Sequence, residues 1–282
     1  MQDSSANGIL SEPNKSIDVL MLGDSECYCS MIPLRIWEEQ GITSYCCATP
    51  AQKLVYSEEF LYRAFKSQSP KVVVLETNAI FRKFSVGDMI VQKADVTVPI
   101  FRHHDRWKSI KSSDFGLATK YTYIDNAKGY KFTSTINPAD SSGYMAQSDK
   151  LEPIPSKNRK YVENIMDYCN ENGAKLILVS TPSVVNWNMA RHNSMQKMSE
   201  ELGLTYIDTN LLSEEIPIDW QNDTGDKGDH MNYFGAQKVT SYLGEYLAGM
   251  GLFTSHKSDI EYKQWNEHLE SFNATVEKSL SA

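Results

Sequence analysis

The clearest pattern along the chain is an alternation of two kinds of hydrophobic segment. Short runs of aliphatic and β-branched residues, each of strand length, lie at residues 17–22, 42–48, 72–77, 176–181 and 205–207. Longer segments with hydrophobic residues at helical spacing separate them, at residues 32–40, 58–66, 158–171, 189–202 and 233–247. Glycine, the usual stop signal of a helix, follows most of these segments, at Gly41, Gly173, Gly203 and Gly249.

This alternation of strand and helix predicts an α/β fold. Strands that return through helices form a parallel sheet covered on both faces, so we expect a three-layer α/β/α sandwich with a central parallel sheet. The length of 282 residues fits one domain over residues 1–282. Residues from about 80 to 155 break the alternation and predict an insertion or lid. Residues 258–280 carry Ile260, Trp265 and Phe272 at roughly helical spacing, which predicts an amphipathic helix packed on the body.

Composition and charge narrow the classes of partner. The formal net charge of -8 leaves no basic stripe, so nucleic acid and anionic lipid surfaces are not expected as main partners, and a neutral or cationic substrate fits better. No stretch approaches the roughly 20 apolar residues of a membrane helix, and the first residues lack the regions of a signal peptide. The chain is therefore expected either to be cytoplasmic or to have had a membrane anchor ahead of Met1.

Two groups of residues contain possible metal ligands, but their spacing does not favour a metal-binding site. The five cysteines lack metal-ligand spacing, and we predict that they are free core residues rather than disulfides. In the run 103–107, two adjacent histidines cannot both face one ion on a regular element. We predict no metal and no cofactor, and we assign Arg106 and Trp107 to a lid that contacts a polar substrate, with the Trp ring stacking on a sugar face.

The candidate chemistry lies at the two ends of the chain. Gly23, Asp24 and Ser25 directly follow the first predicted strand, which delivers the Ser25 hydroxyl to the carboxyl edge of the sheet. Such a hydroxyl needs a base, and a histidine oriented by a carboxylate is the usual one. His230 lies between acidic residues and a helix start. The other isolated histidines, in polar helical contexts, are expected at the surface: His192, His256 and His268.

These blocks resemble the SGNH hydrolase superfamily of serine esterases and acyltransferases. Ser25 matches its nucleophile block, Asn78 in the run 74–78 matches its Asn block, and His230 in the run 229–236 matches its His block. The resemblance covers most of residues 17–249 and looks most like a bacterial subgroup of membrane-anchored or exported domains. It implies a flavodoxin-like sheet and a cell-envelope or extracellular location, with a cytoplasmic one as the alternative.

Two blocks depart from the superfamily pattern. The segment after the second strand, residues 46–51, contains no glycine, so Ala48 or Thr49 would have to offer the backbone N–H of the oxyanion hole. The position three residues before the histidine is Lys227 rather than an acid. Asp226 needs one extra residue in the loop, and Asp229 would point away from His230 in an extended backbone. We favour Asp226 over Asp229.

The resemblance and the residues together predict a serine esterase or O-acyltransferase acting on an acylated carbohydrate or similar small ester. Ser25 would attack the ester with His230 as base and Asp226 or Asp229 as orienting acid, while the Ser25 N–H, Ala48 or Thr49 and Asn78 hold the oxyanion. The alternative is a carbohydrate-binding or envelope-assembly protein that kept the fold with weak catalysis. A phosphate-binding protein is a third possibility that lacks a Gly-rich cradle.

Overall fold

The computed structural model describes residues 2–85, 87 and 122–281 and has one central sheet of parallel strands. The strands are β1 Val19–Gly23, β2 Ser44–Ala48, β3 Val72–Glu76, β4 Lys175–Ser180 and β5 Thr205–Asp208. Their order is β2-β1-β3-β4-β5, the doubly wound order of flavodoxin-like proteins. The chain therefore reverses its direction of winding between β1 and β3, and the crevice at their carboxyl ends is the expected ligand site.

Helices cover both faces of this sheet. They are α1 Gln2–Asn7, α2 Ser25–Ser30, α3 Pro33–Gln40, α4 Leu54–Ala64, α5 Asn78–Phe81, α6 Ser156–Glu171, α7 Met189–Leu202, α8 Tyr233–Gly249 and α9 Lys263–Leu280. Alternate residues of the strands point to opposite faces: Leu20 packs in one core with residues of α4, α6 and α7, and Met21 packs in the other with residues of α3 and α8. These two cores confirm the predicted three-layer α/β/α sandwich.

The strands and long helices lie close to their predicted positions. β1 and β2 begin two residues later than the hydrophobic runs do. Just ahead of them, Thr43 Oγ1 donates to Asp18 Oδ2 at 3.1 Å. Gly41 and Gly203 end α3 and α7 in the left-handed conformation, as predicted. Gly249 does not stop its helix, since it is the last residue of α8.

The cysteines are placed as predicted, whereas the surface positions predicted for the three isolated histidines are wrong. The five cysteines are free and buried. His268, expected at the surface, is 7% exposed within α9, where burial and the Lys128 charge lower its pKa to about 4. His192 and His256 are also largely covered, because each pairs with a buried aspartate, Asp208 and Asp18. Hydrophobic periodicity does not report such long-range ion pairs.

The C-terminal helix packs as predicted, with one exception. Trp265, Phe272 and Val276 of α9 are buried in the core. Ile260 is 90% exposed, because it lies in a 3-10 turn before α9 rather than on its apolar face. None of the described helices has the length and hydrophobicity required to cross a bilayer.

Residues 122–155 form turns and extended chain without a helix or strand. This segment forms backbone hydrogen bonds with helix α2 and with the loop before α8 at the carboxyl edge of the sheet. Lys131 N–H donates to the Tyr28 carbonyl at 2.9 Å, and Asn137 N–H donates to the Thr224 carbonyl at 2.9 Å. The part of the predicted insertion that the structure describes therefore borders the candidate site.

Candidate active site

The turn after β1 presents Ser25 at the carboxyl edge of the sheet. Ser25 is the first residue of α2 and is partly exposed, whereas Asp24 is fully buried and caps the helix by accepting the Glu26 N–H at 3.0 Å. The first N–H groups of a helix have no partner within it, so the Ser25 N–H is available as a donor.

Asn78 follows β3 on the adjacent strand and is held on three sides. Its backbone N–H donates to Glu76 Oε1 at 2.7 Å, its Nδ2 donates to Asp24 Oδ2 at 3.0 Å, and its Oδ1 accepts from Arg191 Nη1 at 3.0 Å. Asp24 is also ion-paired with Arg82. Since a primary amide carries two N–H donors, one Asn78 N–H remains for another acceptor.

The end of β2 brings the segment without glycine to the same edge. Ala48 is paired with Gly23, so its backbone lies beside the turn that carries Ser25. Thr49 Oγ1 donates to Gln52 at 2.9 Å, and Gln52 Nε2 donates to the Cys47 carbonyl at 3.3 Å. Ala51 adopts a left-handed φ of 50°, which supplies the turn that a glycine would make more easily.

The loop before α8 carries His230 and both candidate acids. Asp226 accepts the His230 backbone N–H at 2.7 Å and lies 2.6 Å from His230 Nδ1. Asp229 Oδ2 lies 3.7 Å from the same nitrogen. Lys227 and Gly228 have left-handed φ angles of 63° and 87°. At these two residues the backbone turns back on itself and accommodates the extra loop residue. Asp226 therefore contacts the His230 ring although it lies four residues earlier in the chain.

The His230 loop is anchored from a segment that follows β4. Ser183 Oγ donates to the carbonyl oxygens of Gly228 at 3.1 Å and of Asp229 at 2.9 Å. Asn186 Nδ2 donates to Asp229 Oδ1 at 2.5 Å and to Glu26 Oε1 at 2.7 Å. Asn186 therefore joins the residue after Ser25 to the residue before His230.

Among the described residues, one group of side chains could hold a metal ion: Glu26, Asp229 and His230. One ligand atom from each lies within 4.8 Å of the others. Asn186 already donates to one oxygen of each carboxylate, and Asp226 already binds His230 Nδ1. A cation here would have to use the remaining oxygens and Nε2.

Two buried carboxyl groups flank this site. Burial, followed by the nearby charges of Asp24 and Glu76, raises the pKa of Glu26 well above its ordinary value. Its Oε2 has no hydrogen-bond partner among the described residues. Burial and Asp24 likewise raise the pKa of Glu76. Both groups therefore favour the uncharged form beside Ser25 and Asn78.

The acids around His230 shift its titration. Burial acts to lower the pKa of His230, but the hydrogen bond with Asp226 and the charges of Asp229, Asp226 and Asp24 outweigh it and raise the pKa above 6.5. The same contact holds the pKa of Asp226 below its usual range against the opposing effect of burial. Glu26, the residue after Ser25, has a carboxylate oxygen within 4.8 Å of a His230 ring nitrogen, so the ring lies near the Ser25 turn.

We expect an NMR titration of the His230 ring protons to have its midpoint above 6.5. Carboxylates stabilise the charged imidazolium, so Asp226→Asn should move the midpoint to lower pH. Asp229→Asn should move it less, because Asp229 makes no short contact with the ring. A midpoint at or below 6.5 in the wild-type chain, or one unmoved by Asp226→Asn, would contradict this pairing.

The structure brings most of the predicted site residues to one edge of the sheet. Those placed there are Ser25, Ala48, Thr49, Asn78, Asp226, Asp229 and His230. Within the described part of the chain no hydrogen bond joins His230 Nε2 to Ser25 Oγ, and such bonds often tighten only when substrate binds. Arg106 and Trp107 lie outside the described residues.

Sequence reasoning missed three side chains at this edge. Glu26 gave a signal, as the second acid, two residues after Asp24, in the turn that follows the first predicted strand. Asn186 and Arg191 gave none, because their contacts to Glu26 and Asn78 span 160 and 113 residues. Only the folded sheet brings them together.

The doubly wound sheet carries a serine, an asparagine and a histidine at its carboxyl edge. This is the arrangement that the resemblance to the SGNH hydrolases implies. No family model and no curated protein match the chain. Among solved structures, it is similar to a lipase/acylhydrolase from Enterococcus faecalis, at 10% identity and a TM-score of 0.45, over 83% of this chain and 97% of that one.

Two further solved structures, a lipase and an esterase, are similar to the chain. A GDSL-like lipase from Bacteroides thetaiotaomicron is 9% identical, with a TM-score of 0.42 over 88% of this chain and 98% of the other. An acetyl xylan esterase from the rumen bacterium Butyrivibrio proteoclasticus is 11% identical, with a TM-score of 0.38 over 86% of this chain and 66% of the other.

Proposed function

We propose that the chain is a serine ester hydrolase of the SGNH type. The observation that carries the proposal is the pairing of His230 Nδ1 with Asp226 at 2.6 Å, in a loop held by Asn186 against the residue that follows Ser25. A histidine oriented in this way keeps its other nitrogen free to act as a base. The partly exposed Ser25 is the nearby hydroxyl on which it would act.

The proposed reaction has two steps. His230 Nε2 takes the Ser25 proton as Oγ attacks the ester carbonyl carbon, and the protonated ring then gives that proton to the departing alcohol. Water, activated by the same nitrogen, then attacks the acyl-enzyme carbonyl, releases the acid and restores Ser25. A sugar hydroxyl in place of water would make the protein an O-acyltransferase, which is the second outcome of the same chemistry.

The oxyanion formed in each step would accept hydrogen bonds from donors at the carboxyl ends of three strands. These are the Ser25 N–H after β1, a backbone N–H of Ala48 or Thr49 after β2, and the remaining Asn78 amide N–H after β3. Donors fixed in advance stabilise the charge that develops in the transition state without having to reorganise.

An acylated carbohydrate or similar small ester is the substrate that we propose. Tyr144 and Trp220 form an edge-to-face aromatic pair with ring centroids 4.8 Å apart. Tyr144 OH donates to Asn210, whose Oδ1 also accepts the N–H of Ser183, the residue that anchors the His230 loop. Aromatic faces near a polar site suit the binding of a sugar ring. A cell-envelope or extracellular location would agree with such a substrate.

A fluorophosphonate probe tests the proposed function. Attack by an activated Ser25 forms an Oγ–P bond and expels fluoride, so we expect the full chain to be labelled and the adduct to map to Ser25 by mass spectrometry. Labelling should coincide with release of p-nitrophenol from p-nitrophenyl acetate. An unlabelled, folded protein without turnover would instead favour the carbohydrate-binding or assembly protein with weak catalysis.

A further inference from the structure

Arg191 contacts the Asn78 amide from the first turn of α7. Its Nη1 donates to Asn78 Oδ1 at 3.0 Å and to the Asn186 carbonyl at 2.6 Å. Its Nε and Nη2 both bind Glu152 at 3.0 Å. The guanidinium carbon lies 4.7 Å from the centre of the Phe81 ring. Contacts with four different groups leave this guanidinium little freedom.

The contact determines which way the Asn78 amide faces. Arginine has only donors, and an ionised carboxylate has only acceptors. Asn78 therefore presents its oxygen to Arg191 and its nitrogen to Asp24. If the amide turned by 180°, it would place N–H against guanidinium and oxygen against carboxylate, and both hydrogen bonds would be lost. The guanidinium charge also polarises the amide and strengthens its free N–H as a donor.

We infer that Arg191 is a positioning residue that orients and strengthens Asn78 as an oxyanion donor. This inference rests on the proposed function, in which the free Asn78 N–H faces the developing charge. Arg191 touches no reacting atom in this mechanism and acts through Asn78. A purely structural role would instead act through Glu152, as an ion pair that holds the segment before α6.

A double-mutant cycle with p-nitrophenyl acetate separates these two roles. Arg191→Met should lower kcat by roughly 10- to 100-fold and leave KM nearly unchanged, because only the transition state uses the oxyanion donor. In an Asn78→Ala background the same change should have an effect of less than about 3-fold, since coupled residues are not additive. Arg191→Lys, which keeps the charge but not the fork, should fall between wild type and Arg191→Met.

Arg159→Met is the matched control, because Arg159 is an arginine of α6 that pairs with Glu163 and Glu201 at the surface. We expect it to retain wild-type kcat. Equal fold losses from Arg191→Met in the wild-type and Asn78→Ala backgrounds would overturn the proposal. Circular dichroism confirms that each variant is folded, and Arg191→Lys replaces Arg191→Met in the cycle if the latter unfolds.

A second measurement does not depend on turnover. In a chain labelled with ¹⁵N-asparagine, the side-chain amide signal of Asn78 is assigned by its loss in Asn78→Ala. We expect this signal to shift and its hydrogen exchange to accelerate in Arg191→Met, but not in Arg159→Met. An unchanged signal would overturn the inference even if the protein is an esterase. A changed signal without Ser25-dependent turnover would support the contact and reject the proposed function.

Discussion

Replacing Ser25 with alanine is expected to lower kcat for p-nitrophenyl acetate by roughly 10⁴-fold or more. The loss removes the hydroxyl that would form the acyl-enzyme, and the proposed mechanism assigns this role to no other group among the described residues. The residual rate should reflect transition-state binding by the Ala48, Thr49 and Asn78 segments alone. Steady-state kinetics measure kcat of the wild type and the residual rate of Ser25→Ala, and titration with a fluorophosphonate counts the active sites of the wild type.

Ser30→Ala is the matched control for this change. Ser30 lies on the same helix, α2, and its buried hydroxyl has no hydrogen-bond partner among the described residues. Removing that hydroxyl should leave kcat within about 2-fold of wild type, since no reacting atom and no hydrogen bond is lost. Equal turnover by wild type and Ser25→Ala would reject the proposed nucleophile.

Asp226→Asn is expected to reduce kcat by roughly 10³- to 10⁴-fold, whereas Asp229→Asn should cost less than about 10-fold. Asp226 bonds both the backbone N–H and the Nδ1 of His230, so it fixes the ring and stabilises the imidazolium. Asparagine in its place can turn its N–H₂ toward Nδ1 and so stabilise the wrong tautomer. Kinetics of the two variants side by side measure the difference.

The two aspartates make a matched pair for this comparison. Both lie in the same loop with similar exposure, 45% for the Asp226 side chain and 41% for that of Asp229, and both changes remove one charge. Asp229 is held by Asn186 and lies 3.7 Å from the ring nitrogen. A larger loss from Asp229→Asn than from Asp226→Asn would transfer the orienting role to Asp229.

Periodicity and stop signals were sufficient to predict the sheet and the long helices. The apolar runs of β1, β2 and β3 are buried on both faces, as is that of β4 after its first residue, so their sequence carries a strong signal. α1 was not predicted, because the segment Gln2–Asn7 is short and polar and buries only Ala6. α2 and α5 were not predicted either, since helices of this length are formed by tertiary contacts rather than by sequence pattern.

The candidate site was predictable where its residues follow strands and not where they meet across the fold. Ser25 and Asn78 come directly after β1 and β3, so a parallel sheet places them at one edge. The contact of Asp226 with His230, favoured from the sequence, depends on the left-handed turn at Lys227 and Gly228, which ordinary residue preferences do not predict for a lysine. Arg191 and Asn186 became visible only through contacts between distant segments.

The raised pKa values of Glu26 and Glu76 imply a tension between folding and catalysis. Each binds its proton more tightly in the native state than in the unfolded chain, so the free energy of unfolding falls as pH rises above the ordinary glutamate range. The mechanism proposed for His230 needs the opposite condition, a pH high enough to leave its ring neutral. A rise in pH that leaves the His230 ring neutral therefore also reduces the stability that the protonated forms of Glu26 and Glu76 contribute to the fold around it.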